Sequence, residues 1–472
     1  MREERRDYID AIRALDGDLD GRRSALETMA ASDATFQGRP LEFPFVPCLL
    51  SSADRAFLAR DMQTMHTILE KVISKYLSDA TYRALFHFPT ATDELIRLPC
   101  TYESLLPMCR LDIFLDEDDL SYKFCEFNTD GSGAMSRDAE MARALMQTES
   151  FRAFASGHES VRPFELFDSW VKTFLECWRE HADNTNATGH ASPPGAPPTP
   201  AGRGLPSVAV TDFSESGVMS DFTRFIDAFE RAGCTARFTD TRNFSFDGEH
   251  LRDATDGTVI DAVYRRAVTS ELACHLGECR ALIDAVRERK VCLVGHFRTT
   301  VAHSKMVSVA LFDEMTRAFL TDEEAAFVEA HVPRTWRLRT DTKVEGFDIE
   351  RILKEKDSWI VKPEDDYGAH GVHAGVDAGE VEWRTIVNKS MNAGFVVQEY
   401  CRVPEVPLVN THVKGADEDG TGGNPLAVEM WQNMPGVYLY AGKMAGLYCR
   451  LGQEGVIALD HGGLCAPTFA VD

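Results

Sequence analysis

Positive charge is what this sequence has least of. Its 472 residues hold 50 lysines and arginines against 75 aspartates and glutamates, a formal net charge of −25. A balance of that sign argues against nucleic acid and against an anionic membrane surface as partners. Long apolar runs are missing as well, since nothing approaches the ~18 residues that a membrane helix requires. The first residues, from Arg2 to Asp7, are charged and carry no apolar core of the kind a signal peptide uses. The expected compartment is therefore the cytoplasm. Twelve cysteines are present but lack the spacing of a framework. Cys109, Cys125, Cys177, Cys292, Cys401 and Cys449 sit in apolar segments and read as buried free thiols.

Several chemical signatures are absent too. No loop ends in the Gly-Lys-Ser/Thr of a Walker A motif. Ser132 lacks the Gly-x-Ser-x-Gly elbow of a hydrolase nucleophile and reads as a turn residue. Asp116, Glu117, Asp118 and Asp119 lack EF-hand spacing and read as a charged hairpin tip. Cys274, His275, Cys279, Cys292 and His296 do not form paired knuckles, which sets zinc aside. There is no internal repeat.

What is present is a mixed pattern. Apolar residues at helical spacing run over 1–36 (Tyr8, Ile9, Ile12, Leu15) and over 52–77, and helices return over 139–154 and 163–181. The stretch 184–206, with Pro193, Pro194, Pro197, Pro198 and Pro200, reads as a flexible linker. After it, 207–213, 235–240 and 259–265 read as strands around an amphipathic helix at 220–232, the grammar of a small parallel, doubly wound unit. A strand over 291–296 precedes a helix that includes 305–316. From 358 onward the chain is strand-rich, at 359–362, 395–400, 427–431 and 437–440. The fold class is α+β with an embedded α/β unit, and the length suits about three domains at roughly 150 residues each.

The most informative stretch is 109–130. Arg110 and Asp112 lie two apart in one apolar run, Glu126 and Asn128 two apart in the next. Side chains two apart on a strand share a face, so pairing these strands gathers a guanidinium, two carboxylates and an amide. Three oxygen donors without thiolate or imidazole suit Mg²⁺, which favours carboxylates together with phosphate oxygens. A second candidate is Lys362, at the end of a β-branched strand that breaks into a loop holding Gly368 and Gly371. Glycine lets backbone approach a phosphate closely, although Glu364, Asp365 and Asp366 also fit an ordinary acidic hairpin. Lys305, near a helix start, is placed either to hold a phosphate or to lie solvated. Gln398, Glu399 and Tyr400 end a strand that reads either as a reader of an adenine edge and ribose or as a plain exit into solvent. Arg450 fits charge stabilisation in a transfer reaction or a surface ion pair.

Taken in order, these motifs resemble the circularly permuted ATP-grasp ligases of the glutathionylspermidine synthase type, over roughly residues 100–470. The matching blocks are Arg110 to Asp112, Cys125 to Asp130, Lys305 within His-Ser-Lys-Met, Trp359 to Pro363, Val397 to Tyr400 and Ala445 to Arg450. Tyr264 to Glu271 is similar to a recurring segment of the family's pre-ATP-grasp region. The resemblance implies that Asp112, Glu126 and Asn128 bind Mg²⁺. It implies that Lys305 and Lys362 hold the phosphates of ATP, with Gly368 and Gly371 in the lid. Gln398, Glu399 and Tyr400 would line the adenine pocket, while Arg110 and Arg450 face an acyl phosphate. It also implies an order: the carboxylates precede the lysines, the reverse of ordinary ATP-grasp chains.

The implied domains are an N-terminal helical region (1–100), a first ATP-grasp segment (101–183), the linker (184–206), a pre-ATP-grasp α/β subdomain (207–300) and the nucleotide segment (301–472). The implied activity joins a carboxylate to an amine with release of ADP and phosphate. The sequence departs from the family in having Tyr367 at the position, five residues after the strand lysine, where an arginine is expected, and it shows no counterpart of the amidase domain found in bifunctional members. A nucleotide-binding scaffold without turnover and a small-molecule kinase are the alternatives.

Overall fold

The computed structural model describes residues 2–187, 204–342, 344, 346–366, 368–416 and 422–472. The prolines of the expected linker, from Pro193 to Pro200, and Tyr367 lie outside the described residues.

The apolar run Met108–Leu115 forms a strand and returns antiparallel as Tyr122–Asn128. Its acidic tip folds on itself, with the Asp118 amide donating to the Asp116 carboxylate (2.8 Å) and the Ser121 amide to Asp119 (2.7 Å). The hairpin is one edge of a six-stranded antiparallel sheet in the order Leu464–Ala466, Lys443–Gly452, Glu429–Tyr440, Met108–Leu115, Tyr122–Asn128, with Glu405–Leu408 also paired to Glu429–Tyr440. The two strands expected at 427–431 and 437–440 are thus one strand of 12 residues. It changes partner midway: Glu429 to Gln432 pair with Glu405–Leu408, and Gly436 to Tyr440 pair with Met108 to Asp112. Pro435, which has no N–H to donate, falls in the gap between the two partners, where a central strand tolerates it.

Ser207–Asp212, Thr235–Asp240, Ala262–Arg265 and Cys292–Val294 form a four-stranded parallel sheet, with Ser207–Asp212 between Ala262–Arg265 and Thr235–Asp240. Near-continuous burial of Val208, Ala209, Val210, Ala262, Val263 and Tyr264 is what a sheet covered on both faces requires. Asp212 ends the first of these strands and is buried, which pushes its carboxyl up to about 6 despite the nearby Arg266. A carboxyl raised in the fold favours its protonated form there. Stability from this group is therefore complete below pH 4 and lost as pH rises through 6, a change of about 3 kcal/mol. Asp212→Asn is expected to resist denaturant better than the native chain at pH 8 and equally at pH 4; equal midpoints at both values would contradict the assignment.

A third, antiparallel sheet runs Thr335–Arg337, Phe395–Glu399, Trp359–Pro363, His373–Ala374 and is backed by Ile349–Lys354 and Glu380–Ser390. Its core is Trp336, Trp359, Val361, Trp383 and Val397. Trp383 is fully buried and donates its indole N–H to the Ile352 carbonyl at 2.9 Å. Trp383→Ala is expected to destabilise this unit by about 3–5 kcal/mol, seen as an early transition in thermal unfolding.

The N-terminal helical pattern resolves into Glu3–Ala14 and Leu19–Ala30, broken at Asp16, Gly17 and Asp18, which all have positive φ. The 27-residue helix Ser52–Ser78, opened by a Ser51/Asp54 capping box, lies against the large sheet through Leu58, Met62, Met65, Ile68, Leu69 and Val72. Thr468–Val471 sits between Cys48–Ser51 and Val161–Pro163, and one apolar core runs from Tyr8 to Val471. The helix expected to include 305–316 is instead broken there into two short segments, Met306–Ala310 and Glu314–Arg317, after a separate turn at Thr300–His303. The break before Met306 comes from a residue distant in sequence: the Lys305 amide donates to the Glu364 carbonyl (2.9 Å) and not to its own helix.

Candidate active site

The register of the hairpin sets Asp112 opposite Glu126 and Arg110 opposite Asn128. Arg110 grips Asp112 with a two-pronged contact, Nε to Oδ1 at 2.7 Å and Nη2 to Oδ2 at 3.0 Å. Its Nη1 donates to the Gly133 carbonyl (3.1 Å), and the Tyr438 hydroxyl donates to that same carbonyl. Asn128 Nδ2 donates to both Asp112 Oδ2 (3.0 Å) and Glu126 Oε1 (3.2 Å). Arg450 arrives from Lys443–Gly452, two strands away, and its Nη2 bridges the carboxylates, donating to Asp112 Oδ2 and to Glu126 Oε1 (3.0 Å).

Charge follows from this crowding. Burial pushes the Glu126 carboxyl up, but Arg450, Lys305 and Arg110, helped by the Asn128 amide, hold it well below the ordinary carboxylate range. Burial acts against the Arg110 guanidinium, yet Asp112 and Glu126 keep it firmly protonated.

Facing this cluster are the two lysines. Lys362 Nζ donates to Gln398 Oε1 (2.7 Å), and Gln398 in turn donates to Thr335 Oγ1 (2.8 Å). Lys305 Nζ donates to the Asp366 carbonyl (2.7 Å), fastening the start of the glycine loop to the scaffold. Burial lowers the Lys305 ammonium and Glu126 partly restores it. Two adjoining cavities share Glu126, Lys305 and Lys362: a smaller one that also reaches Asn128, and a larger one that also reaches Arg450 and His370. The larger has an apolar wall of Phe114, Ile360, Val372, Val456 and Ile457. Cys125 borders both cavities, but burial pushes its thiol up to about 12, so it stays protonated and is no nucleophile.

Of the residues singled out in the sequence, Arg110, Asp112, Glu126, Asn128, Lys305, Lys362, Gln398 and Arg450 converge here. Gly368 and Gly371, with positive φ, turn the loop that carries His370 over the larger cavity. Glu399 and Tyr400 do not border either cavity. Glu399 is exposed and accepts the Arg334 amide (3.0 Å), because residues alternate faces along the strand and Gln398 takes the inner one. Tyr400 packs beside Ile360, Ala374, Val456 and Ala458. The acidity of the loop is reduced, since Arg337 pairs with Glu364 (Nη2 to Oε2, 3.1 Å). Sequence reasoning passes over Gly436, Arg337 and the apolar wall. A glycine inside an apolar strand is the available signal for the first.

The two carboxylates fit a hard divalent cation, and no hydrogen bond reaches Glu126 Oε2 among the described residues, while Asn128 turns its Nδ2 toward them and would offer its oxygen only after the amide rotates. Among the described residues, however, no cluster of three or more His, Cys, Asp and Glu side chains is arranged to hold a metal ion. The guanidinium of Arg450 contacts both of the carboxylates that would hold a cation.

No protein-family model matches the chain, and neither does any curated protein. Among solved structures, a glutathione synthetase-like effector (GSS30) from Globodera pallida, in its apo form, is similar over 97% of this chain and 97% of its own, with a TM-score of 0.59 and 12% identity. The chain shares that fold. It is a mixed helix-and-sheet fold of the glutathione synthetase-like kind, and among the described residues no helix is long and apolar enough to cross a membrane.

Proposed function

We propose that the chain is a permuted ATP-grasp ligase that consumes ATP with Mg²⁺ to join a carboxylate to an amine through an acyl phosphate. The observation that carries this reading is the meeting of Asp112, Glu126, Asn128 and Arg450 with Lys305 and Lys362 around two cavities that share Glu126 and both lysines. Asp112, Glu126 and Asn128 would hold the metal, which when bound supplies charge neutralisation between phosphate oxygens. Lys305 and Lys362 bind and orient phosphate as point charges, each steered by a fixed acceptor, the Asp366 carbonyl and Gln398. The apolar wall from Phe114 to Ile457 takes a flat base and excludes water from it. Arg450, at the edge of the larger cavity, meets the charge that builds up as phosphate moves to the carboxylate, and Arg110 acts from behind by clamping Asp112. The fold neighbour is named for glutathione synthetase, so the glutathionylspermidine type rests on motif order alone and not on that likeness.

The reading is tested with purified protein and Mg²⁺ by ADP release over a panel of carboxylates and amines, with amide product confirmed by mass. Calorimetry that detects no ATP binding with Mg²⁺ present would sink it. ATP binding without turnover across the panel would favour a nucleotide-dependent scaffold, a reading supported by the arginine that occupies the carboxylates. Phosphorylated product without amide would favour a kinase.

A further inference from the structure

The central strand Glu429–Tyr440 carries a glycine where its neighbours carry large side chains. Gly436 is paired directly with Asp112 and lies two residues from Tyr438, which is paired with Arg110. Backbone conformation does not demand glycine there, because its φ lies outside the left-handed region. Glycine inside a strand costs stability relative to any residue with a side chain, and its presence commonly marks the close approach of another group.

The approaching group is the Asp112 carboxylate. A Cβ built on Gly436 would overlap Asp112 Oδ1 and would lie 2.8 Å from both Cδ and Nε of Arg110. Nε is the atom that donates to Oδ1 in the contact that locks the pair. Asp112 is fully buried, so it has no free direction in which to retreat. From these contacts we infer that Gly436 is the positioning residue of the site. Its missing side chain is the seat on which the Asp112 carboxylate and the Arg110 fork lie across the sheet, beside Glu126.

This inference rests on the ligase reading and adds to it a residue that touches neither substrate nor metal. The atoms nearest an added methyl group belong to Asp112 and Arg110, so what it pushes aside is the carboxylate and its fork. Gly446, in the adjacent strand, is a structural counterpart: a Cβ there would press on Phe164 and Leu166 (2.9 Å to Leu166 Cδ2) and not on the carboxylates.

The experiment compares Gly436→Ala and Gly446→Ala in the full chain, using Mn²⁺ titration in the presence of ADP, thermal melting and, once a substrate pair is found, kinetics. Gly436→Ala is expected to weaken Mn²⁺ binding at least about tenfold, and to lower kcat about a hundredfold with the nucleotide KM little changed, since a displacement of about 1 Å at a reacting centre costs on that order. Gly446→Ala is expected to lower the melting temperature and leave Mn²⁺ affinity alone. In an Asp112→Ala background, where the carboxylate that the methyl group would displace is gone, adding Gly436→Ala is expected to cost nothing further in Mn²⁺ affinity. That pair also serves if the single variant does not fold. Native protein that binds Mn²⁺ with ADP alongside a Gly436→Ala variant that binds it equally well would overturn the inference and leave the ligase reading intact. A second loss in the Asp112→Ala background would likewise overturn it. Native protein that binds no Mn²⁺ with ADP would overturn both.

Discussion

Glu126→Gln is expected to cut ADP release by at least about a thousandfold while the protein stays folded. The substitution preserves shape and one acceptor, so what it removes is charge. In the native site that charge is held in place by three cations, Arg450, Lys305 and Arg110, which keep the carboxyl ionised against the pull of burial. Glu126 also borders both cavities beside the two lysines. Without it, one of the two carboxylates available to a divalent cation is gone, and Lys305 loses the anion that offsets its burial. Removing a single preorganised electrostatic group commonly costs about 10²–10³ in rate; here one substitution removes a metal ligand and a lysine partner together. The measurement is turnover together with calorimetric binding of ATP and Mg²⁺. A Glu126→Gln variant within tenfold of native turnover would show that the carboxylate cluster is not the reacting centre.

Much of this site is legible in the sequence because its signal is local. Period two on two neighbouring strands, joined by a short acidic turn, is enough to place Arg110, Asp112, Glu126 and Asn128 on one face. The lysine at the end of Trp359–Pro363 is legible for the same reason. What escapes depends on register between segments hundreds of residues apart. Gly436 means nothing until Glu429–Tyr440 is known to lie against Met108–Leu115. Glu364 reads as free acidity until Arg337, on a strand two places away in the sheet, closes on it. Glu399 is drawn to the site by its motif, yet alternation along Phe395–Glu399 sends it outward once Gln398 is committed to Lys362. The break after His303 also has a remote cause, the Glu364 carbonyl that captures the Lys305 amide. Helical periodicity in 305–316 carries no trace of that competitor.

Arg450→Met is expected to change two measurements in opposite directions. Turnover should fall by about 10²–10³, the usual cost of losing one donor aimed at developing charge. Affinity for Mn²⁺ without nucleotide should instead rise, by roughly tenfold to a hundredfold, as expected if a hydrogen bond to charged groups worth about 1.5–3 kcal/mol no longer has to be broken. The reason is positional. Arg450 reaches both Asp112 and Glu126 with the same nitrogen, so a cation held by these two carboxylates would compete with this guanidinium. Asp112 is not stranded by the substitution, because Arg110 keeps both of its contacts with it. Methionine retains the apolar stem beside Met434 and Ile457 along the larger cavity, so loss of packing does not explain the result. Manganese titration followed by electron paramagnetic resonance reads the affinity directly. If the variant binds Mn²⁺ no better than the native chain, Arg450 does not compete with the metal, and its contact with the carboxylates is simply part of the metal-bound arrangement. If it binds better and still turns over slowly, the same arginine guards the carboxylates at rest and acts on the phosphate once it is displaced.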